Sequence, residues 1–398
     1  MSAGPIMMPI VILGAARTPI GGLLGALSSL PATKLGAVAI EGALARGGIA
    51  PDEISEVFMG NVLSAGLGQA PARQASLGAE IPESVPCTTI NKMCGSGMQA
   101  MVLAHDALAC GARGIIVAGG MESMSNAPFL LTRARTGMKF GHGRIFDHMA
   151  LDGLEDAYEP GRPMGSFAED TAETLGISRE AQDEFAARSL RLAQEAAANG
   201  ALADEIVEVS VAGREGTSIL RADEQPARAD AAKIPRLKPA FREGGTVTAA
   251  NSSSISDGAA ALLLAREDEA EARGAAPLAR IVAHAVHAEQ PAWFTTAPIG
   301  AIRKVLVKAG WGADEVDLFE INEAFAVVVL AAENALDLPR EKINVRGGAC
   351  ALGHPIGASG ARIVVTLLAE LRRRNLRRGV AAICIGGGEA LALAVERV

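Results

Sequence analysis

The sequence predicts an α/β fold of two similar core domains, on the evidence of an internal repeat and of apolar strands that alternate with helices. The segment at 43–54 aligns without gaps on the segment at 305–316, and each is followed by an apolar strand and an asparagine, Asn61 or Asn322. A Gly-rich turn, an apolar helix and a strand that ends in glycines then follow in both halves. Two copies of one plan predict two domains packed together, and strands that are apolar throughout predict sheets covered on both faces.

Changes in composition along the chain predict where these parts begin and end. Residues 1–124 form the N-terminal core domain, which starts with a strand at 10–13 and is completed by residues 246–273 with a strand-like stretch at 246–264. Residues 125–245 carry many charges, several Pro and Gly breaks and one amphipathic helix that starts near Ser178. They are predicted to be an inserted domain that folds over the functional site. Residues 274–398 form the C-terminal core domain.

Composition and charge exclude several classes of function. The 398 residues are 49% hydrophobic, yet no apolar run approaches the length of a membrane span. A net charge of −8 and an aromatic content of only 3% argue against nucleic-acid binding. Five cysteines without disulfide-scaffold spacing, and an N-terminus unlike a signal peptide, predict a cytoplasmic protein. The histidines show no metal-ligand spacing with cysteine, so His284 and His287 are predicted to be a surface or loop pair and no metal is expected.

Cys94 is the strongest candidate for a catalytic residue. It lies in the stretch NKMCGSG at 91–97, directly before a periodic apolar segment that predicts a helix from about Gly95. Unpaired N–H groups and the positive end of the helix dipole favour the thiolate, and the glycines let the backbone turn and leave room beside the sulfur. The alternative is a buried, inert cysteine. That alternative is preferred for Cys87 and Cys110, which are predicted to be small core residues.

Two further segments supply partners for such a nucleophile. His354 lies in the Gly-rich stretch GGACALGHPIGASG at 347–360, just before another apolar helix, and is a candidate base. Cys384 lies near the end of an apolar strand that runs into three glycines at 386–388, where bare backbone N–H groups could face a developing oxyanion. Together the segments offer a nucleophile, a base, a second thiol and an oxyanion donor.

These motifs resemble those of the thiolase family of acyl-CoA:acetyl-CoA C-acyltransferases. The resemblance covers essentially the whole chain and includes AARTP at 15–19, GGMESMS at 119–125, TVTAANSS at 246–253 and NEAF at 322–325. It implies a thiolase-like fold of two α/β/α/β/α layered core domains with an inserted loop domain that binds coenzyme A. It also implies a reversible Claisen condensation of two acetyl-CoA to acetoacetyl-CoA and free coenzyme A, through an acetyl-cysteine.

The resemblance further implies a role for each candidate residue. Cys94 carries the acyl group, His354 activates it, and Cys384 transfers the α-proton of the second acetyl-CoA. Asn322 holds a water that forms one oxyanion site with His354, and the backbone N–H groups of Cys94 and Gly386 form the other.

Substrates and partners follow from the same resemblance. Five residues match positions that contact the pantetheine arm or line the acyl pocket in relatives: Ala249 and Ser253 for the arm, and Met164, Ala324 and Phe325 for the pocket. Acetyl-CoA and 3-ketoacyl-CoA are implied as substrates without a separate cofactor, and a homotetramer built as a dimer of dimers is implied as the assembly.

The preferred acyl chain length stays open at the level of sequence. Thiolases committed to acetoacetyl-CoA typically carry His-Met-Gly where this chain has RPMG at 162–165, and Glu389 with Ala390 replaces Met-Gly or Gln-Gly after the triple glycine. Pro163 resembles the broader 3-ketoacyl-CoA enzymes, although the surrounding loop does not copy those either. An acetyl-CoA C-acetyltransferase is the preferred interpretation, and a broader 3-ketoacyl-CoA thiolase of fatty-acid β-oxidation is the alternative. A non-catalytic acyl-binding relative would lack a reactive residue, and a decarboxylating synthase would lack Cys384. A dehydrogenase would need a G-x-G-x-x-G after the first strand, where GAAR stands at 14–17.

Overall fold

The computed structural model describes residues 8–214 and 216–398, so the first seven residues of the predicted N-terminal domain lie outside it. The strands are β1 Ile10–Arg17, β2 Gly21–Gly22, β3 Ile54–Gly60, β4 Cys87–Ile90, β5 Ile115–Ser123, β6 Phe129–Leu130, β7 Phe146–Asp147, β8 Val209–Gly213, β9 Gly216–Leu220, β10 Ser256–Arg266, β11 Ala279–Ala288, β12 Leu318–Ile321, β13 Arg378–Ile385 and β14 Glu389–Glu396. The helices are α1 Ala32–Gly47, α2 Pro71–Gly78, α3 Ser96–Ala109, α4 Met164–Leu175, α5 Arg179–Ala198, α6 Glu224–Arg228, α7 Glu267–Ala272, α8 Ala297–Ala309, α9 Ala326–Leu336, α10 Ala349–Leu352 and α11 Ile356–Arg373.

The strand order repeats in the two halves of the chain. In the first half it is β1-β10-β5-β3-β4, and in the second half it is β11-β14-β13-β12. Each half has two antiparallel pairings followed by a parallel one, β5 with β3 and β13 with β12. The halves join where β1 pairs with β11 over residues 10–12 and 279–281. The predicted duplication is confirmed.

Side chains of β1 show how the layers stack around this sheet. Ile10 and Ile12 pack into a cluster with α3 and α11, whereas Val11 and Leu13 pack into a cluster with α1 on the other face. The same central cluster takes apolar side chains from β13 and β14 of the second half, whose other face packs against α8 and α9. Both sheet halves therefore enclose α3 and α11, with further helices outside. This arrangement confirms the α/β/α/β/α layering.

Of two elements predicted between 178 and 264, the helix is confirmed and the strand is shorter than predicted. The helix expected near Ser178 is α5, and its N-terminus is capped because the Ser178 hydroxyl accepts a hydrogen bond from Ala181 N at 3.2 Å. The strand expected over 246–264 begins only at Ser256, so the prediction of a strand is wrong for residues 246–255. The Asn251 side chain accepts from Thr248 N at 2.7 Å and donates to Asp183 at 3.0 Å, which makes a turn docked on α5 instead of a strand.

The segment at 125–245 is tied to the first half by a buried ion network. The Arg17 guanidinium, at the end of β1, lies 2.7 Å from Glu205 and 2.7 Å from Asp223, and all three side chains are almost fully buried. Strand β10 pairs with β1 and β5, beside the elements that precede the insertion. The division into domains at 124, 245 and 273 stays a prediction. None of the helices in the described part of the chain is long and apolar enough to cross a membrane.

Candidate active site

Cys94 lies on a tight turn between the edge strand β4 and helix α3. Met93 has a φ of 46°, and the Ser96 hydroxyl closes the turn by accepting from Lys92 N at 2.9 Å and donating to Met93 O at 2.6 Å. Gly95 is the N-cap of α3, as the sequence predicts. The turn therefore places the sulfur at the start of a helix that is buried in the centre of the molecule.

The glycines of this turn serve backbone packing, and the expectation that they also leave room for a substrate beside the sulfur stays a prediction. A Cβ at Gly95 would lie 2.5 Å from Cδ1 of Ile385, and one at Gly97 would lie 2.9 Å from Ala361 N of α11. A Cβ at Gly120, at the end of β5, would lie 2.0 Å from the carbonyl oxygen of Gly357. Small residues let the N-terminal end of α11 approach α3 and β5, and Cys94 and His354 lie two residues before α3 and α11, respectively.

The Cys94 thiol is a weaker acid than its position predicts. Burial raises its pKa to about 11, and this effect outweighs the N–H groups of Gly386 and of Cys94 itself, which act in the opposite direction. The nearby Glu122 carboxylate raises it further. The expectation of a thiolate favoured by the helix N-terminus is therefore wrong for the substrate-free chain. The two N–H groups nevertheless face the sulfur, as expected for the pair predicted to form an oxyanion site.

His354 is held as a neutral imidazole with one free nitrogen. Its Nδ1 lies 2.6 Å from the Ser359 hydroxyl, which donates its own proton to Pro355 O at 2.9 Å. Nδ1 must therefore carry the ring proton, and Nε2 presents a lone pair. Burial, with a smaller effect of Arg362, lowers the pKa of His354 to about 3. The side chain thus has the tautomer and charge that a base requires.

Cys384 brings a second thiol to the same place. It is the last residue but one of β13, is buried, and precedes the glycine turn that carries Gly386. Burial raises the pKa of its thiol well above the usual value, and Cys94 raises it further, which places the two sulfurs within electrostatic reach of each other. Both cysteines are free thiols. The structure thus brings Cys94, Cys384 and Gly386 together.

Asn322 presents buried polar atoms that the described chain does not satisfy. It follows β12, and its backbone N–H donates to Ala382 O at 2.9 Å, two residues before Cys384. Its side-chain Oδ1 and Nδ2 are buried without a partner among the described residues, as is Nε2 of His354. Polar groups in protein interiors are nearly always hydrogen-bonded, so atoms of this kind mark a place for a ligand or a bound water. These three atoms are therefore candidates for contact with a bound water or a substrate oxygen.

Of the five predicted substrate residues, Ala324 and Phe325 are buried, Met164 and Ser253 are half-buried, and Ala249 is exposed. Met164 begins α4, and its Cε lies 3.5 Å from a Cβ built on Gly386, so it borders the reacting centre. Phe325 is packed edge-to-face with Phe241 and Phe294 at centroid distances of 6.0 and 6.4 Å. The Ser253 hydroxyl and N–H both donate to Ala324 O, at 3.0 and 2.9 Å. Ala249 lies exposed on the turn ahead of Ser253, and its contact with the pantetheine arm stays a prediction.

Glu122 is a residue of the site to which the sequence assigned no role. It is fully buried at the end of β5 and accepts hydrogen bonds from Val62 N at 3.0 Å, Leu63 N at 3.1 Å and Gly357 N at 2.9 Å. Burial raises the pKa of this carboxyl to about 7. By joining the first half to the turn before α11, it holds Cys94 and His354 in register. A lone acidic residue ending an otherwise apolar strand was the available signal.

Three other cysteine and histidine predictions need correction. Cys110 is exposed and not a core residue, because it directly follows the last residue of α3. Cys87 is only half-buried, because β4 is an edge strand. His284 and His287 lie on strand β11 and not in a loop.

Two repeated halves that bring a cysteine and a neutral histidine to adjoining helix N-termini define a thiolase-type acyl-transfer site. The chain belongs to the thiolase family. The family model described as Thiolase, N-terminal domain matches residues 10–268, and that described as Thiolase, C-terminal domain matches residues 275–397.

Named relatives cover the chain almost end to end. Acetyl-CoA acetyltransferase 2 of Arabidopsis thaliana is 52% identical over 390 residues, which are 97% of this chain and 96% of the relative. The mitochondrial acetyl-CoA acetyltransferase of Bos taurus is 48% identical over 396 residues, 99% of this chain and 93% of that protein. The crystal structure of Acat5 thiolase from Ascaris suum in complex with coenzyme A superposes with a TM-score of 0.93 at 44% identity, covering 98% and 100% of the two chains. These matches confirm the predicted family and fold.

Proposed function

We propose that this chain is an acetyl-CoA C-acetyltransferase that condenses two acetyl-CoA to acetoacetyl-CoA and free coenzyme A, and catalyses the reverse cleavage. The observation that carries the proposal is the set of unsatisfied buried polar atoms on His354 and Asn322 beside two free thiols. Relatives named acetyl-CoA acetyltransferase, and a related thiolase structure that contains coenzyme A, support the choice of substrate.

The first half-reaction transfers an acetyl group to Cys94. His354 Nε2 takes the thiol proton as the sulfur attacks the thioester carbonyl. Since burial leaves the Cys94 pKa at about 11 and the His354 pKa at about 3, a free ion pair is unfavourable, and proton transfer accompanies attack. The N–H groups of Cys94 and Gly386 stabilise the charge on the carbonyl oxygen, and each such donor contributes about 3 kcal/mol in the transition state. Coenzyme A leaves as its thiolate.

The raised pKa of Cys384 suits it to the second half-reaction. A thiol that is protonated at rest can give its proton to the departing coenzyme A thiolate, and the resulting Cys384 thiolate can take the α-proton of the second acetyl-CoA. The enolate that forms has its oxygen held by the water of Asn322 and by His354. Its carbon attacks the acetyl-Cys94 carbonyl, the C–S bond breaks, and His354 returns the proton to Cys94. Every proton is accounted for, and the scheme needs no cofactor beyond the thioesters.

The surroundings of the site favour short acyl groups over the broad-range alternative. Met164 borders Gly386, and the Phe325 ring is packed edge to face against two other phenylalanines, so we infer that these side chains limit the length of the acyl group. Pro163 is the N-cap of α4, so its role in the structure is to start the helix, and this role does not indicate a longer acyl pocket. We therefore expect a steep fall of kcat/KM from acetoacetyl-CoA to longer 3-ketoacyl-CoA.

One assay tests the reaction and its substrate range. Release of coenzyme A from acetyl-CoA, and cleavage of a 3-ketoacyl-CoA series by added coenzyme A, are measured without nicotinamide. Turnover with acetoacetyl-CoA and a fall with chain length are expected, and Met164→Ala should flatten that fall. Absence of turnover with any thioester would leave an acyl-binding protein, whereas an optimum at longer chains would favour the β-oxidation enzyme.

Assembly and location belong to the same proposal. A homotetramer is supported by the free outer edge of β4 within the described chain and by the exposed apolar side chains of Phe129, Met138, Phe140 and Ile145. Light scattering of the purified chain tests it. A cytoplasmic location rests on the cysteine content, while the bovine relative is mitochondrial by name. Fractionation of the source cells separates the two compartments.

A further inference from the structure

Away from the thiols, two histidines and an aspartate converge on one point of the surface. His105 and Asp106 lie in the last turns of α3, and His284 lies on β11, 178 residues from Asp106 along the chain. Asp106 Oδ1 lies 3.0 Å from Nδ1 of His105 and 2.9 Å from Nε2 of His284. The three ligand atoms all fall within 4.8 Å of one another. The sequence could not reveal this cluster, because its members come from both halves.

The burial of the cluster resembles that of a shallow metal site. The side chains of His105 and His284 are 15% and 19% exposed, so both rings are held by their surroundings. The Asp106 side chain is 52% exposed and leaves a path for an ion and its water ligands. The rings contact each other edge to face at 4.9 Å, which fixes their relative orientation.

The local electrostatic field contains one favourable and one unfavourable contribution. The cluster lies near the C-terminus of α3, where unpaired carbonyl groups and the helix dipole favour a cation. Against this, Lys308 of α8 donates to the His284 carbonyl oxygen at 2.9 Å and brings a positive charge nearby. These opposing contributions predict reversible binding of the ion instead of permanent retention.

We propose that His105 Nδ1, Asp106 Oδ1 and His284 Nε2 bind a divalent transition-metal ion, with Zn²⁺ as the best fit. Two imidazole nitrogens and one carboxylate oxygen form a donor set that suits Zn²⁺, Co²⁺ and Ni²⁺, with water completing the coordination. The ion replaces the two hydrogen bonds that Asp106 makes now, and the rings move inward until each bond is about 2.0–2.2 Å long. Each ring then carries its proton on the nitrogen that faces away from the ion.

An ion at this point would act on the structure without entering the acyl-transfer reaction. Helix α3 begins two residues after Cys94, and β11 belongs to the second half of the molecule. Coordination therefore links the helix that carries the nucleophile to the opposite half. We expect the ion to raise the melting temperature, because a ligand that binds only the folded chain stabilises it.

Calorimetric titration of the chelator-treated full-length chain with ZnCl₂ tests the site without any activity assay. One saturable ion per chain is expected for the natural protein, and none for His105→Ala or His284→Ala. Asp106→Asn should bind more weakly than the natural protein, because a neutral amide oxygen replaces a charged carboxylate ligand. His287→Ala is the matched control, because His287 lies on the same strand outside the cluster, and it should bind normally.

Co²⁺ absorption distinguishes this site from adventitious binding at the active-site thiols. Visible d–d bands without a thiolate charge-transfer band are expected, together with a rise in melting temperature that His284→Ala abolishes. The proposal is overturned if no saturable binding occurs, if His105→Ala and His284→Ala bind as tightly as the natural chain, or if a thiolate band accompanies binding. Each result leaves the proposed acyl-transfer function untouched.

Discussion

At the scale of single residues, the two thiols act from a protonated resting state. Burial raises the pKa of Cys94 to about 11 and that of Cys384 well above its usual value, so neither is a thiolate before substrate arrives. In the proposed mechanism, reactivity then depends on His354 and on the N–H groups that stabilise charge only as it develops. A protonated thiol is less readily oxidised than a thiolate, and Cys110 is the most exposed of the five cysteines.

Replacing Cys94 by alanine should abolish both cleavage and condensation. The acyl group then has no covalent carrier, and losses of at least about 10⁴-fold in kcat are typical when a nucleophile is removed. The side chain is small and half-buried, so the free energy of unfolding should change by only about 1 kcal/mol. Steady-state kinetics and thermal unfolding check both parts. Near-normal turnover would show that another residue is acylated.

Replacing Cys384 by serine should separate the half-reactions. The acetyl-enzyme should still accumulate at Cys94, whereas carbon–carbon bond formation should fall by roughly 10²–10⁴-fold, because serine cannot carry the α-proton. Mass spectrometry of the acetylated chain and acetoacetyl-CoA formation are measured on the same sample. The opposite result would be a variant that is no longer acetylated by acetyl-CoA but whose preformed acetyl-enzyme still condenses. That result would reverse the assignment of the two thiols.

The depressed pKa of His354 predicts a loss of stability in acid. Its folded-state pKa of about 3 is below the ordinary 6.5, so the unfolded chain binds a proton that the folded chain does not. The associated stability is present above pH 6.5 and is lost as pH falls towards 3, by up to about 1.4 kcal/mol per pH unit. Denaturant unfolding of the natural chain and of His354→Asn from pH 8 to 5 isolates this contribution. Parallel curves would contradict a neutral buried imidazole.

At the scale of elements, the contact between β5 and the first turn of α11 depends on close backbone approach. Gly120→Ala places a Cβ 2.0 Å from the Gly357 carbonyl oxygen, a backbone atom that cannot rotate away. We expect a loss of roughly 1–3 kcal/mol in the free energy of unfolding and a lower kcat, since His354 moves with the turn before α11. Chemical denaturation and kinetics measure both effects. Gly213→Ala, on an exposed hairpin with 3.3 Å to Gly216 O, is the control and should be nearly neutral.

Sequence reasoning succeeded for these elements wherever local chemistry decides. The helices that start at Ser96 and Arg179 and the strand that precedes the triple glycine follow from periodicity, a cap and a run of glycines. It failed over 246–255, where β-branched and small residues suggest a strand but the Asn251 side chain makes tertiary hydrogen bonds. It also failed for Glu122 and Ser359, because their roles depend on partners far along the chain or on the tautomer of His354.

At the scale of the whole molecule, the repeat predicts the architecture and burial decides the chemistry. The matching strand orders were deducible because both copies keep the same sequence of helix, strand and glycine turn. The pKa values of the two thiols were not, since dipole and burial act in opposite directions on a thiol and only the folded packing shows that burial is larger. The cluster of His105 with His284 was hidden for a similar reason, because it forms only when the halves pack.

The shared central layer predicts that neither half folds alone. Helix α11 belongs to the second half, yet its apolar side chains share one cluster with α3, β1 and β10, and its N-terminal turn is held by Glu122 of β5. A fragment of residues 274–398 would expose that surface to water, so it should lack a cooperative thermal transition and bind hydrophobic dyes. The full chain should unfold in one calorimetric transition, because its layers are continuous. Circular dichroism and calorimetry of the fragment, of the chain and of separately expressed pieces mixed together test this. A folded, cooperative fragment would mean that the central layer joins two independent domains instead of creating one.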